Sequence, residues 1–277
     1  MNPQPEQQPR PRDQLSKAAP ESVLLLGAGR AILLQLAHPQ IGRAIAEHSD
    51  FAANPLSRLV HTLGYIYALS NGTAQQQRTM INYVDAAHRP VHAPRDKNSG
   101  APAYSALDPK LQLWVAATLF DSARLIGSQL LPAWDQDASE ELYQQYARLG
   151  DTLQMPTDYW PPSEVDFTTY FAEVTAKLEV TEQTRELARQ LFSGSKAPWW
   201  IRAGLPLMRD VSIAQLPANV REQFGYQLTR RTQRRNRQMV RTAWLATRVL
   251  PKAMRHLPMK LMLRHVDRMA AETQLAT

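Results

Sequence analysis

From Glu21 onward, apolar residues recur every three or four positions, and no stretch keeps the strict alternation of a half-buried strand. The pattern predicts an all-α chain. Residues 1–20 are rich in proline and glutamine and read as a disordered polar tail. One all-α domain is expected over 21–277, with basic C-terminal helices at 217–272 packed on it. Ser22 opens a first helix through Ala37, Pro39 interrupts it, and a short helix resumes to Glu47. His48-Ser49-Asp50 then reads as a stop and turn. Pro55 suits the first turn of a helix reaching about Leu69, which Asn71-Gly72 ends. Thr73 caps the next helix, which runs toward His88. The stretch 93–107 reads as a loop. Asp108 and Pro109 start a long helix to about Leu131, with Leu111, Trp114, Val115, Thr118, Leu119 and Ser122 on one stripe. Further helices are expected at 139–149, 164–178 and 182–193. Residues 193–205, with Trp199 and Trp200, read as irregular. From Pro217 two basic helices follow, divided by Pro251.

Composition narrows the chemistry. The chain has 277 residues, 44% of them apolar, which is ample for a core. With no cysteine, disulfides, thiolate nucleophiles, iron–sulfur clusters and Cys-based zinc sites are excluded. No apolar leader segment is visible at the start, and Val23–Leu36 is too short and too polar to span a membrane. A cytoplasmic location is the expectation. The net charge of +7 is unevenly placed: 13 Lys and Arg lie between Arg221 and Arg268, opposed only by Glu222 and Asp267. Such a segment suits phosphate, an acidic lipid surface, or the acidic remainder of its own chain. Leu228, Met239, Val240, Trp244, Leu245 and Val249 give it an apolar stripe. A helix docked on the protein body is the preferred reading, a peripheral anionic membrane contact comes second, and nucleic acid comes last.

Gly27-Ala28-Gly29 looks like the start of a dinucleotide fingerprint, but Ile32 stands where its third glycine belongs and no βαβ pattern surrounds it. Small residues for close helix packing are the better reading. Positions 58, 61, 62 and 65 share one helix face and hold Arg58, His61, Thr62 and Tyr65. That face is either solvated or the lining of a polar pocket, and Thr, His and Tyr line pockets better than they solubilise. His88 and His92 are four apart, with Pro90 between them. Arg89 stands where a zinc protease would need glutamate.

Several short motifs fall in a recognisable order: a GxGR lead-in to QLAHP (35–39), EHSDF (47–51), RLVHT (58–62), HRPV (88–91), YSALDP (104–109) and WVAATLFDS (114–122). In order and spacing this stretch resembles the rubber oxygenase (latex-clearing protein) and MpaB-type oxygenase catalytic domains. The resemblance implies a single multi-helix domain with a globin-reminiscent core that binds haem b. It further implies a haem-dependent oxygenase acting with O2 on a small hydrophobic substrate such as an isoprenoid, lipid or secondary metabolite, possible C=C cleavage included, and served by an electron donor where the chemistry needs one. By the family pattern His88 is the proximal iron ligand, and an imidazole there leaves a sixth position for O2. Arg58 and Thr62 belong near the haem, with Arg58 suited either to a propionate or to bound oxygen. The sequence departs from the pattern twice. His61 stands where rubber oxygenases can have lysine, so it is a candidate hydrogen-bond donor, acid–base residue or sixth ligand. His92 replaces an arginine expected to help anchor the cofactor. His38 and His48 read as structural. The alternatives are a haem-free His/carboxylate metal enzyme built on His88, His92 and a third histidine, and a non-enzymatic helical protein binding anionic partners.

Overall fold

The computed structural model describes residues 13–48, 55–131, 134, 136–156, 158–194 and 199–275. The first helix, α1, covers Gln14–Ala18. A 3-10 helix at Ser22–Gly27 leads directly into α2 (Ala28–Leu36), and α3 follows at Pro39–His48. Next come α4 (Pro55–Asn71), α5 (Ala74–His88) and α6 (Pro109–Leu130). The helices α7 (Gln136–Tyr146), α8 (Arg148–Asp151), α9 (Glu164–Ala176) and α10 (Glu182–Ser193) complete the middle of the chain. The C-terminal part holds α11 (Trp199–Gln215), α12 (Ala218–Gln223), α13 (Arg230–Val249), α14 (Lys252–Arg255) and α15 (Leu257–Leu275). The architecture is all-α.

The helix starts follow local chemistry. Thr73 forms a full capping box with Gln76, and the Asp108 side chain accepts from the Lys110 amide ahead of Pro109. The long α6 is the central beam: Trp114 and Phe120 are fully buried, and α2 lies against it. Phe120 gathers Tyr143, Tyr146, Trp160 and Phe167 around its ring at centroid distances of 5.0–5.8 Å. Gly27 and Gly29 serve packing. A Cβ on Gly27 would lie 2.8 Å from the Ser122 carbonyl oxygen, and one on Gly29 would overlap Ser212 on α11. In this tight corner Arg30 is buried, ion-paired to Asp121 at 2.5 Å and hydrogen-bonded to Ser122.

Four expectations change. The polar tail is shorter than 1–20, because Asp13 caps α1 and Leu15 and Ala18 are buried; residues 1–12 lie outside the described residues. The 93–107 loop contains a two-residue antiparallel pairing, His92 with Ser105 and Ala93 with Tyr104, too short to leave an alternating signature. The 193–205 stretch read as irregular holds the start of α11, a helix that runs on through Pro206 to Gln215. Proline, glycine and paired tryptophans hid a helix that packing on α2, α10 and α13 stabilises. The basic α13 does pack on α6 and α11, but only part of the predicted stripe is covered. Met239 and Val240 are half-buried, while Leu228, Trp244, Leu245 and Val249 are exposed. The 49–50 part of the predicted turn lies outside the described residues.

Among the described residues no single helix is long and apolar enough to cross a membrane. Residues 22–36 with 39–48 pass by composition only as a pair bent by 98°. Leu33, Leu34 and Leu36 of that pair are fully buried in the core.

Candidate functional site

Two cavities meet between α4 and α6. The larger, of about 530 Å³, is lined by α3, α4, α5, α6 and the α8 region. Its polar lining includes His48, Arg58, His61, Thr62, Tyr83 and His88. The smaller, of about 360 Å³, is almost wholly apolar and lies between the 3-10 helix, α2, α4, α6 and α11. Arg58, Thr62, Ile66, Leu119 and Tyr146 line both, so they form the partition. Both volumes fall in the range of small-molecule sites, roughly 300–1,000 Å³.

Helical periodicity aims the α4 face here. Arg58, His61, Thr62 and Tyr65 all line the larger cavity. The face therefore addresses a cavity inside the fold. On the facing helix, Val84, Ala87 and His88 follow the same three-to-four spacing. His92 lies beyond the end of α5, exposed on its short strand, and lines neither cavity. Pro90 separates it from the helix that carries His88, which removes the common helical face that a spacing of four would give. His48 lines the larger cavity and meets the Tyr104 ring edge-on at 5.7 Å. His38 lies outside both cavities, 6.3 Å from Trp114, and its Nδ1 is buried without a partner.

His88 combines two properties. Its Nδ1 is buried with no hydrogen-bond partner, and its pKa is lowered first by desolvation and then by the charge of Arg58, against a smaller opposing effect of Asp85. Arg58 and His88, 30 positions apart in the chain, are thus neighbours in space. The half-buried Arg58 is itself desolvated, which lowers its pKa, and it has no ion pair among the described residues. A buried imidazole nitrogen without a partner beside a desolvated guanidinium with no ion pair among the described residues is costly unless a ligand completes the pair. Tyr65 is different, because its hydroxyl donates to the Leu149 carbonyl at 2.6 Å and meets Thr152 Oγ1 at 2.6 Å. It is a strut of the cavity wall.

His61 is held by Tyr83, whose hydroxyl lies 3.0 Å from Nε2 and 3.2 Å from Nδ1. Burial, then the nearby His265 of α15, lowers the His61 pKa. Sequence reasoning missed Tyr83, although it lies on the α5 that carries His88. It also missed Tyr146, and gave Leu119 no role beyond a place on the α6 stripe, although both stand in the partition.

His38 and His61 carry a stability prediction. Desolvation depresses both below the ordinary 6.5, with Asp108 partly opposing at His38. The unfolded chain therefore binds these protons at higher pH than the folded chain. Folding stability falls as pH drops through about 6.5. For the protein without added ligand, the urea midpoint is expected to be lower at about pH 5.5 than at about pH 7.5, with a smaller difference in His38→Gln. Equal midpoints at the two pH values would contradict the burial of these rings.

The chain belongs to the family described as the catalytic domain of the ER-bound oxygenase mpaB/B' and rubber oxygenase, which matches residues 17–249. It is an oxygenase catalytic domain by family. It is also 31% identical over 225 residues to an uncharacterized protein of Mycobacterium tuberculosis, covering 79% of this chain and 87% of that protein. An uncharacterized protein of Mycobacterium bovis matches to the same extent. No solved structure matches the chain, so a likeness to globins rests on no structural comparison. Among the described residues no three His, Cys, Asp or Glu side chains form a metal-ion cluster, which leaves the reading of a His88/His92 metal site without a ligand set.

Proposed function

We propose that the protein is a haem b-dependent oxygenase whose cofactor occupies the larger cavity and whose small hydrophobic substrate occupies the apolar one. The observation that carries this reading is the orphaned His88 Nδ1 beside the desolvated Arg58, which has no ion pair among the described residues, on the wall of one 530 Å³ chamber. These residues fit the group. His88 supplies one neutral imidazole, Arg58 a cation for a carboxylate or for reduced oxygen, and the apolar wall of Val84, Val91, Val115 and Leu119 a surface for the macrocycle. When bound, the haem supplies the oxygen-activating chemistry.

The chain's own residues do the rest. Depression of the His88 pKa keeps the ring unprotonated at neutral pH, as an iron ligand must be. Thr62 and Arg58 stand at the partition, where a polar group of the substrate or of oxygen would meet them. His61, steadied by Tyr83, places an imidazole on the same helix face, a group suited to acid–base work there. The apolar chamber, with Leu24, Ile32, Leu63, Leu205 and Met208 in its wall, accepts hydrocarbon and excludes water. That lining favours an isoprenoid or other lipid-like molecule of modest length.

Haem titration tests the proposal. Purified protein is expected to take up one equivalent of haem with a sharp Soret band, and Arg58→Leu to bind it about tenfold or more weakly through loss of a charge-assisted contact. A flat titration would overturn the haem reading and leave only family membership.

A further inference from the structure

We propose that the corner formed by α13, α14 and the start of α15 is a docking face for an anionic lipid bilayer, holding the protein on a membrane surface without spanning it. This proposal is independent of the cofactor. Trp244, Leu245, Val249, Met254, Leu257 and Leu261 are 45–69% exposed. Leu245 and Val249 are one turn apart on α13, as Leu257 and Leu261 are on α15, and the Pro251 turn joins the two pairs. The opposite sides of the same helices are the anchored ones. Thr232 and Ala243 of α13 and Val266 and Ala270 of α15 are buried. At the corner, Arg255 and His256 both bind Glu21, the residue that precedes the 3-10 helix. The body therefore holds this corner with its apolar side chains facing out.

Charge decides what covers them. No aspartate or glutamate occurs from Gln223 to Val266. Arg237, Arg241, Arg248, Lys252, Lys260 and Arg264 are exposed. Among the described residues only Arg235, Arg255 and His256 of this region are ion-paired. Arg248 lies 3.7 Å over the Trp244 ring, so the largest apolar group is bracketed by a cation. An amphipathic surface with aromatic and aliphatic tips among cations matches the boundary between lipid headgroups and acyl chains. A second copy would bring the same dense positive charge against itself. A nucleic acid would use the cations but leave the six apolar side chains in water.

The test is co-sedimentation of the intact protein with vesicles of phosphatidylcholine alone and of about 3:1 phosphatidylcholine to phosphatidylglycerol, at about 0.1 M and about 0.5 M salt. Expected is binding to the anionic vesicles, weakened by salt, with little on phosphatidylcholine alone. Two double variants separate the contributions: Leu245→Ser with Val249→Ser, and Arg241→Glu with Lys252→Glu. Each is expected to weaken vesicle partition about tenfold or more, while thermal melting confirms that the exposed positions leave the fold intact. Absence of binding to anionic vesicles overturns the proposal. So does salt-sensitive binding that the serine variant leaves untouched while duplex DNA competes, which would make the face a phosphate-binding one. A wild-type dimer that the serine variant converts to monomer also overturns it, by assigning the apolar corner to a second copy.

Discussion

Replacing His88 by alanine is expected to remove the Soret band of the haem-loaded protein, with haem affinity falling by more than the about 10–100-fold that loss of an outer partner of a ligand produces. The reason is local. The larger cavity holds several polar side chains, but Tyr65 is engaged with Leu149 and Thr152, and His61 is engaged with Tyr83. His88 has a buried nitrogen for which the described residues provide no partner, in a ring that the neighbouring Arg58 helps to keep unprotonated. Alanine removes that unsatisfied atom, so the protein without haem is expected to fold at least as well as wild type; circular dichroism and urea denaturation check this. Imidazole added in solution is expected to enter the vacated space and restore part of the band, which a merely structural histidine would not allow. His61→Ala is the matched control. If His61 were a sixth ligand, low-spin features in the wild-type spectrum would vanish in it while the band itself persisted. A His88→Ala spectrum indistinguishable from wild type would end the assignment of the proximal ligand.

Much of the fold was legible because its helices are marked by local chemistry. Thr73 and Asp108 cap the helices that the sequence has them start, Ser163 and Thr181 cap the helices expected from 164 and 182, and such signals act within four residues. Where stability comes from distant contacts the reading failed. Helix α11 contains Pro206 and Gly204 and exists because α2, α10 and α13 pack on it, and a pattern confined to its own residues carries no trace of those neighbours. The same division runs through the site. Periodicity alone places Arg58, His61, Thr62 and Tyr65 on one face, and the structure gives that face a cavity. The approach of Arg58 to His88 is a tertiary fact, as is the charge interaction of His265 with His61. His92 shows the converse: a spacing of four means a shared face only while the helix lasts, and α5 ends at His88. The arginine-rich end, which does dock through α13, was legible only in part for a further reason. Amphipathicity reports that a helix has an apolar side, but not how much of that side the body covers, and here the last turns of α13 project past it.

The largest loss of stability is expected at Asp121, a residue outside both cavities. Arg30 and Asp121 pair at 2.5 Å with side chains only 6% and 9% exposed. The guanidinium also donates to Ser122 Oγ and to the Gln215 carbonyl, each at 2.9 Å, while the other carboxylate oxygen accepts from Arg124 at 2.8 Å. Desolvation nevertheless lowers the Arg30 pKa, with Asp121 opposing it, so burial strains the cation even with its partner present. Asp121→Ala strands that cation and is expected to cost about 3–5 kcal/mol in urea denaturation. The joint replacement Arg30→Met with Asp121→Leu removes both charges and is expected to recover most of the loss, since apolar groups of similar volume often replace a buried pair at little cost. A loss below about 1 kcal/mol in Asp121→Ala would mean that water reaches the pair. The pair also has a positional role. It pins α2 to α6, and those helices contribute Gly29 and Ile32, and Leu119 and Ala123, to the wall of the apolar cavity. Asp121→Ala should therefore loosen the apolar cavity while leaving His88 in place. At temperatures where the variant remains folded, its haem spectrum is expected to survive and its affinity for apolar ligands to fall, the reverse of the His88 variant.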